Sequence, residues 1–138
     1  MRNVAILAAG AIVASSVAFA QQPAIPAGGL LTAVPTSSRT VTDWYKQDVY
    51  DPSHNKIGQV SDVLVGQNGQ VNALIIGVGG FLGAGEKDVA VNFSSVREQT
   101  DNNKTTYLTM NTTKDALSAA PGFKYDRNST TWVPDKGR

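Results

Sequence analysis

Residues 71–93, VNALIIGVGGFLGAGEKDVAVNF, constrain the fold of this chain more than any other stretch. The segment opens on an apolar run, Val71 to Val78, interrupted only by Asn72 and Gly77. A run that short, rich in β-branched residues and ended by glycine, reads as a strand buried on both faces. Five glycines fall from Gly77 to Gly85 and enclose Phe81 and Leu82. The charged triplet Glu86-Lys87-Asp88 follows, then a second strand over Val89–Phe93 with Val89, Val91 and Phe93 on one side. Two buried strands joined by a glycine loop with an apolar tip require a β framework around them.

The rest of the chain supplies that framework. Asp48–Tyr50 is a short strand stopped by Asp51-Pro52-Ser53-His54-Asn55, a cluster of turn formers. Lys56–Val65 is a longer one whose apolar positions change parity, with Ile57, Val63 and Val65 on one count and Val60 and Leu64 on the other. A bulge or bend near Asp62 reconciles them, as a small barrel requires. Gln67-Asn68-Gly69-Gln70 centres Asn-Gly for a tight hairpin. Beyond Phe93, Val96–Thr100 reads as a polar edge strand, Asp101–Lys104 as a turn, and Thr105–Asn111 as a strand with Leu108 and Met110 opposite Tyr107 and Thr109. About six short strands over residues 43–111 predict a mainly β fold, a small closed or nearly closed barrel. Residues 112–138 add one short helix, capped by threonine at Thr112-Thr113 and docked through Leu117, and then an aromatic extension carrying Phe123, Tyr125 and Trp132.

The beginning of the chain has a different character. Met1-Arg2-Asn3 is a positively charged start, Val4–Val13 carries no charge, and Ala18-Phe19-Ala20 places small residues where a signal peptidase reads them. The pattern predicts a signal peptide over residues 1–20, cleaved after Ala20, with no stable membrane anchor remaining and a periplasmic or secreted location. Residues 21–42, with Pro23, Pro26, Pro35, Gly28 and Gly29, read as a flexible spacer. Loss of Arg2 takes the formal charge from +1 to zero, which leaves no electrostatic footprint for nucleic acid. With no cysteine and one histidine, there is no disulfide framework, no structural zinc set and no Cys/His nucleophile pair.

The glycine loop fails as a phosphate cradle. From Gly77 and Gly79 the third glycine of a dinucleotide fingerprint falls on Leu82, and the P-loop lysine position holds Glu86. A strand follows the loop where both motifs need a helix. Asp51, Ser53 and Asn55 alternate like the start of a calcium loop, but Lys56 and Asp62 stand where glycine and glutamate belong, so a plain turn is expected. His54 is expected to be solvent-exposed in that turn. Glu86 and Asp88 share one face of an extended chain and Asp62 sits at the bend, yet no catalytic set emerges, and no cofactor or metal is implied. Phe81 and Leu82 either cap the barrel end or form a docking tip.

Val49-Tyr50-Asp51, Lys56-Ile57-Gly58-Gln59-Val60-Ser61-Asp62-Val63-Leu64-Val65 and Gly77–Val91 together resemble the PRC-barrel family, over roughly Val49–Val96. The resemblance implies a compact β-barrel used as an assembly module, with no shared catalytic residues to carry over; the family's reaction-centre and ribosome-maturation contexts do not transfer to an exported chain. The expectation is a non-enzymatic periplasmic protein that binds a protein partner or itself. Its candidate interaction loop comprises Phe81, Leu82, Glu86, Lys87 and Asp88, with an exposed strand edge as the other docking surface. The alternative is a small-molecule or ion carrier using the barrel mouth, which would need a roomy polar cavity.

Overall fold

A computed structural model describes residues 10, 28–79 and 85–137. The chain divides into two units, Met1–Ser38 and Arg39–Arg138. Apart from Gly10, residues 1–27 lie outside the described residues, and the predicted signal peptide falls there. Residues 28–38 are exposed turns without a strand or helix, one of them closed by Ser38 N–H donating to the Pro35 carbonyl at 3.1 Å.

The second unit opens on α1 (Val41–Trp44), so the folded domain begins earlier than the expected boundary at residue 43. The cause is local. The Thr40 hydroxyl caps the helix by accepting from the Asp43 amide, and Arg39 forms an ion pair with Glu98. The strands follow as β1 (Asp48–Tyr50), β2 (Lys56–Val65), β3 (Val71–Val78), β4 (Lys87–Asn92), β5 (Val96–Thr100) and β6 (Thr106–Met110). After α2 (Lys114–Ala119) come β7 (Gly122–Asp126) and β8 (Thr131–Pro134). Phe93–Ser95 form a single 3-10 turn between β4 and β5, which takes Phe93 out of the strand expected for it.

All eight strands join one sheet in the order β5-β6-β1-β2-β3-β4-β7-β8. The six strands expected over residues 43–111 are β1–β6, and the aromatic extension brings the sheet to eight as a hairpin added to the edge of β4 through Asp88↔Phe123 and Val89↔Gly122. The ladder does not close into a barrel: among the described residues no pairing joins β5 to β8. The sheet is nonetheless strongly curled. Laid flat, β6 and β4 would stand four strand spacings apart, about 19 Å. Leu108 of β6 and Val89 of β4 instead belong to one buried cluster with Val49, Ile57, Val60, Leu74, Ile76, Val78, Met110 and Leu117. Phe93, Val96 and Trp44 pack against it, and Trp44 meets Phe93 with ring centroids 4.9 Å apart. Truncating a fully buried member such as Leu74 or Ile76 to alanine costs about 2–5 kcal/mol.

The curl depends on β2. Val60 pairs with Ile76 but Asp62 pairs with Ile75, so one extra residue, Ser61, is accommodated at this point. This is the bulge that the change of parity predicts. It returns Val63 to the core side opposite Leu74 and turns Asp62 outward. A second irregularity between Val49 and Tyr50 lets Ile57 and Val60 serve the same core from opposite parities. The outer face is covered in one place. Ile75 is fully buried although it points away from Leu74 and Ile76. Trp132 of β8 reaches that face and donates its indole N–H to Asp62 Oδ2 at 2.7 Å, so the C-terminal hairpin folds back across the sheet.

Gly58 marks the closest backbone approach. A Cβ there would lie 2.5 Å from Ile76 Cγ2 and 2.9 Å from the Gly77 carbonyl oxygen, and the carbonyl cannot retreat without breaking the β2–β3 ladder. At Gly79 a Cβ would meet nothing within 4 Å. Gly58→Ala is therefore expected to lower stability by about 1–3 kcal/mol while Gly79→Ala leaves it nearly unchanged; urea midpoints of the two variants check the contrast.

Candidate functional site

The residues with chemistry at the foot of the glycine loop are held in three different ways. Register places Lys87 opposite Val78 and Asp88 opposite Gly77. Alternation then sends Lys87 toward α2, where its Nζ donates to the Ser118 carbonyl at 2.7 Å and satisfies one of the open carbonyls at the helix C-terminus. Its methylene stem lies along Gly122, where a Cβ would sit 3.3 Å from Lys87 Cε. Asp88, on the outer face, accepts from Ser61 Oγ at 3.0 Å and so ties β4 to the bulge of β2. Glu86 is exposed, with its carboxylate beside Gly77. Phe81 and Leu82 lie outside the described residues. At the loop feet, Gly79 is half-buried and Gly85 exposed, and a Cβ on either would meet nothing within 4 Å among the described residues.

The acids and the histidine weighed as an enzymatic set are not gathered into one pocket. Asp62 is bonded to Trp132, Asp88 to Ser61, and Glu86 lies beside Gly77. His54 belongs to the turn between β1 and β2, with a positive φ of 68° and an exposed side chain. Among the described residues, no cluster of three or more His, Asp or Glu side chains is placed to hold a metal ion. The calcium-like start of the turn has a structural use instead. Asp51 Oδ1 accepts from the Ser53 and Asn55 amides at 2.9 and 2.8 Å, and its Oδ2 accepts from Asn55 Nδ2 at 3.0 Å.

A groove not anticipated from the sequence lies on the outer face of β5 and β6, beside the turn that follows β1. It encloses about 730 Å³ and is lined by the β1–β2 turn, the 3-10 turn and the outward residues of β5 and β6. Tyr107 faces it from β6, and His54 folds back over Tyr50 with ring centroids 5.2 Å apart and planes 19° from parallel. Tyr107 meets both rings edge-on, at 5.8 Å from Tyr50 and 5.0 Å from His54. Arg97 lines the groove and is exposed, with no ion-pair partner among the described residues. The available signal was the outward parity of Tyr107 and Thr109; the parallel pairing of β1 with β6, which sets Tyr50 beside Thr109, has no sequence signature. The groove lies outside the sheet, whereas the interior of the curl is filled by the core, with Leu117 among its members and Trp44 and Phe93 packed against it.

The whole defines a small, mainly β domain curled around one core, with a helix at one end. The profile of the PRC-barrel domain matches residues 38–117, well over half of the chain, and the chain belongs to the PRC-barrel domain family. The match extends the resembling segment to include α1 and most of α2, and it stops before the β7–β8 hairpin. No curated protein matches the chain.

The hydrogen bonds from the Asn55 backbone and side chain, with those from Ser53 and the proximity of His54, hold the Asp51 carboxyl below its ordinary pKa. Asp126 is lowered likewise, first by the Ser129 hydroxyl and then by the Asn128 amide. A carboxyl depressed by folding stabilises the native state in full above its unfolded pKa, and that contribution disappears as pH falls through the lower folded value. Asp51→Ala should therefore melt below the parent chain at neutral pH, and the gap in Tm should narrow once pH drops below the ordinary aspartate value of 3.8.

Proposed function

We propose that the protein is an exported, non-enzymatic assembly module that binds a protein partner, or a second copy of itself, at the loop between β3 and β4. The observation that supports this most is the contrast within that loop. Its base is braced by Lys87 on Ser118 and by Asp88 on Ser61, while at its feet a Cβ on Gly79 or Gly85 would meet nothing within 4 Å among the described residues. A braced base fixes where the loop leaves the sheet, and the loop's sequence carries Phe81 and Leu82, apolar residue types that partner pockets take up as anchors. Glu86 at the rim adds a charge that selects among partners and contributes little affinity. Membership of a family whose barrel serves in assemblies supports the same reading, as does the N-terminal pattern for export.

The substitution Phe81→Ser with Leu82→Ser is expected to abolish an in-cell cross-link or self-association while far-UV CD remains that of the folded chain. An unchanged cross-linking pattern removes the loop as the docking surface. Export is checked independently. The protein recovered from a fractionated cell should have Gln21 as its first residue and should partition away from the cytoplasm; an intact Met1 would reject export.

A further inference from the structure

The groove over β5 and β6, beside the β1–β2 turn, has a composition that the assembly reading does not use. Arg97 projects from β5 without an ion pair, although the neighbouring Glu98, on the other face, is engaged by Arg39 and Trp44. The one acid on the groove wall among the described residues is Asp51, and both of its oxygens are occupied by amides of its own turn. Asp51 keeps its negative charge but has its oxygens engaged, whereas the Arg97 guanidinium has no ion pair among the described residues and offers a planar fork suited to a carboxylate. Around it stand neutral groups that both donate and accept, among them Ser95, Gln99 and Asn111. Tyr107 supplies an aromatic wall whose position is held by its edge contacts to Tyr50 and His54. At about 730 Å³ the groove falls in the range of small-molecule sites.

We propose that this groove binds a carboxylate-bearing saccharide, with the carboxylate on the Arg97 guanidinium and one sugar-ring face against Tyr107. The ring C–H groups of a sugar carry partial positive charge and meet the negative face of an aromatic ring, and its hydroxyls match the mixed donors and acceptors of Ser95, Gln99 and Asn111. A peptide fits less well, because among the described residues the wall offers, apart from Tyr107, only Pro52 and Met110 to apolar side chains. The site is separate from the loop between β3 and β4, so it stands or falls independently of the assembly reading.

The test is calorimetric titration of the purified chain with a galacturonic acid trisaccharide and with the neutral galactose trisaccharide of the same linkage. The acidic sugar should bind at least about tenfold tighter, the difference expected for one charge-assisted pair. Arg97→Gln should bring the acidic sugar down to the level of the neutral one with the CD spectrum unchanged, and Tyr107→Leu should weaken both. Should Tyr107→Leu fail to fold, movement of the Tyr107 ring-proton resonances in the parent chain reports the stacking, and unmoved resonances count against it. Absence of binding by either sugar, equal binding of the two, or indifference to Arg97→Gln overturns the proposal. So does binding of inorganic phosphate or of triglutamate as tightly as the acidic sugar, which would mark a plain anion site or a peptide site.

Discussion

The extra residue at Ser61 is the constraint on which the rest of the architecture rests. A strand as long as β2 would, if regular, deliver Val60 and Val63 to opposite faces, and the core would lose one of them. Accommodating Ser61 between two paired positions keeps both on the inside and bends the strand where the sheet must curl. The same irregularity directs Asp62 and Ser61 outward, where they receive Trp132 and hold Asp88. One local deviation thus shapes the core, positions the base of the β3–β4 loop and anchors the C-terminal hairpin. Its cost in ladder hydrogen bonds is offset by burial of the apolar residues that the bend brings together.

What could be read from the sequence was mostly what local chemistry dictates. Asn68-Gly69 gave its hairpin, with Gly69 at a φ of 79°, because a tight turn there needs a positive φ. Thr113 capped α2 at the expected place, and Leu117 docked it, because the cap and the apolar position lie within one short segment. The bulge was legible because the apolar parity of β2 changes across Asp62. Partnerships between distant strands left no such trace. Nothing in Thr131–Pro134 announces that Trp132 will cross to β2, and nothing in Asp48–Tyr50 announces a parallel neighbour. The unanticipated groove follows from that second omission, since it is walled by segments brought together only by the β1–β6 pair. Of the closed or nearly closed barrel that was expected, closure is the part that does not hold: strand count and alternation define a curled β domain, but closure depends on a last pairing that periodicity does not encode.

The charged triplet shows how neighbouring residues can take unrelated roles through alternation alone. Lys87 points to the helix and Asp88 to the outer face, so one braces α2 while the other braces β2. Glu86, one step before the strand begins, escapes both duties and stays in solvent. The residues that hold the loop's base are thus distinct from the one left in solvent, although all three are charged and consecutive. The β7–β8 hairpin has a comparable division: two backbone rungs attach it to β4, and a single indole hydrogen bond fastens its far side to β2.

The pairing of β1 with β6 also sets an order in time. Its partners stand 59 residues apart, as do Gln47 and Thr106, whose side-chain bond adds to the same seam. The hairpins β2–β3, β3–β4 and β5–β6 close over short loops and can form early, whereas the seam bears the entropy of a much longer loop. Until Leu108 arrives, Val49 has no cover on that side and the core remains open along one edge. This long-range seam is also the one that brings Tyr50 beside Tyr107, so the outer groove cannot precede it. That surface is a product of the seam, and no hairpin carries it alone.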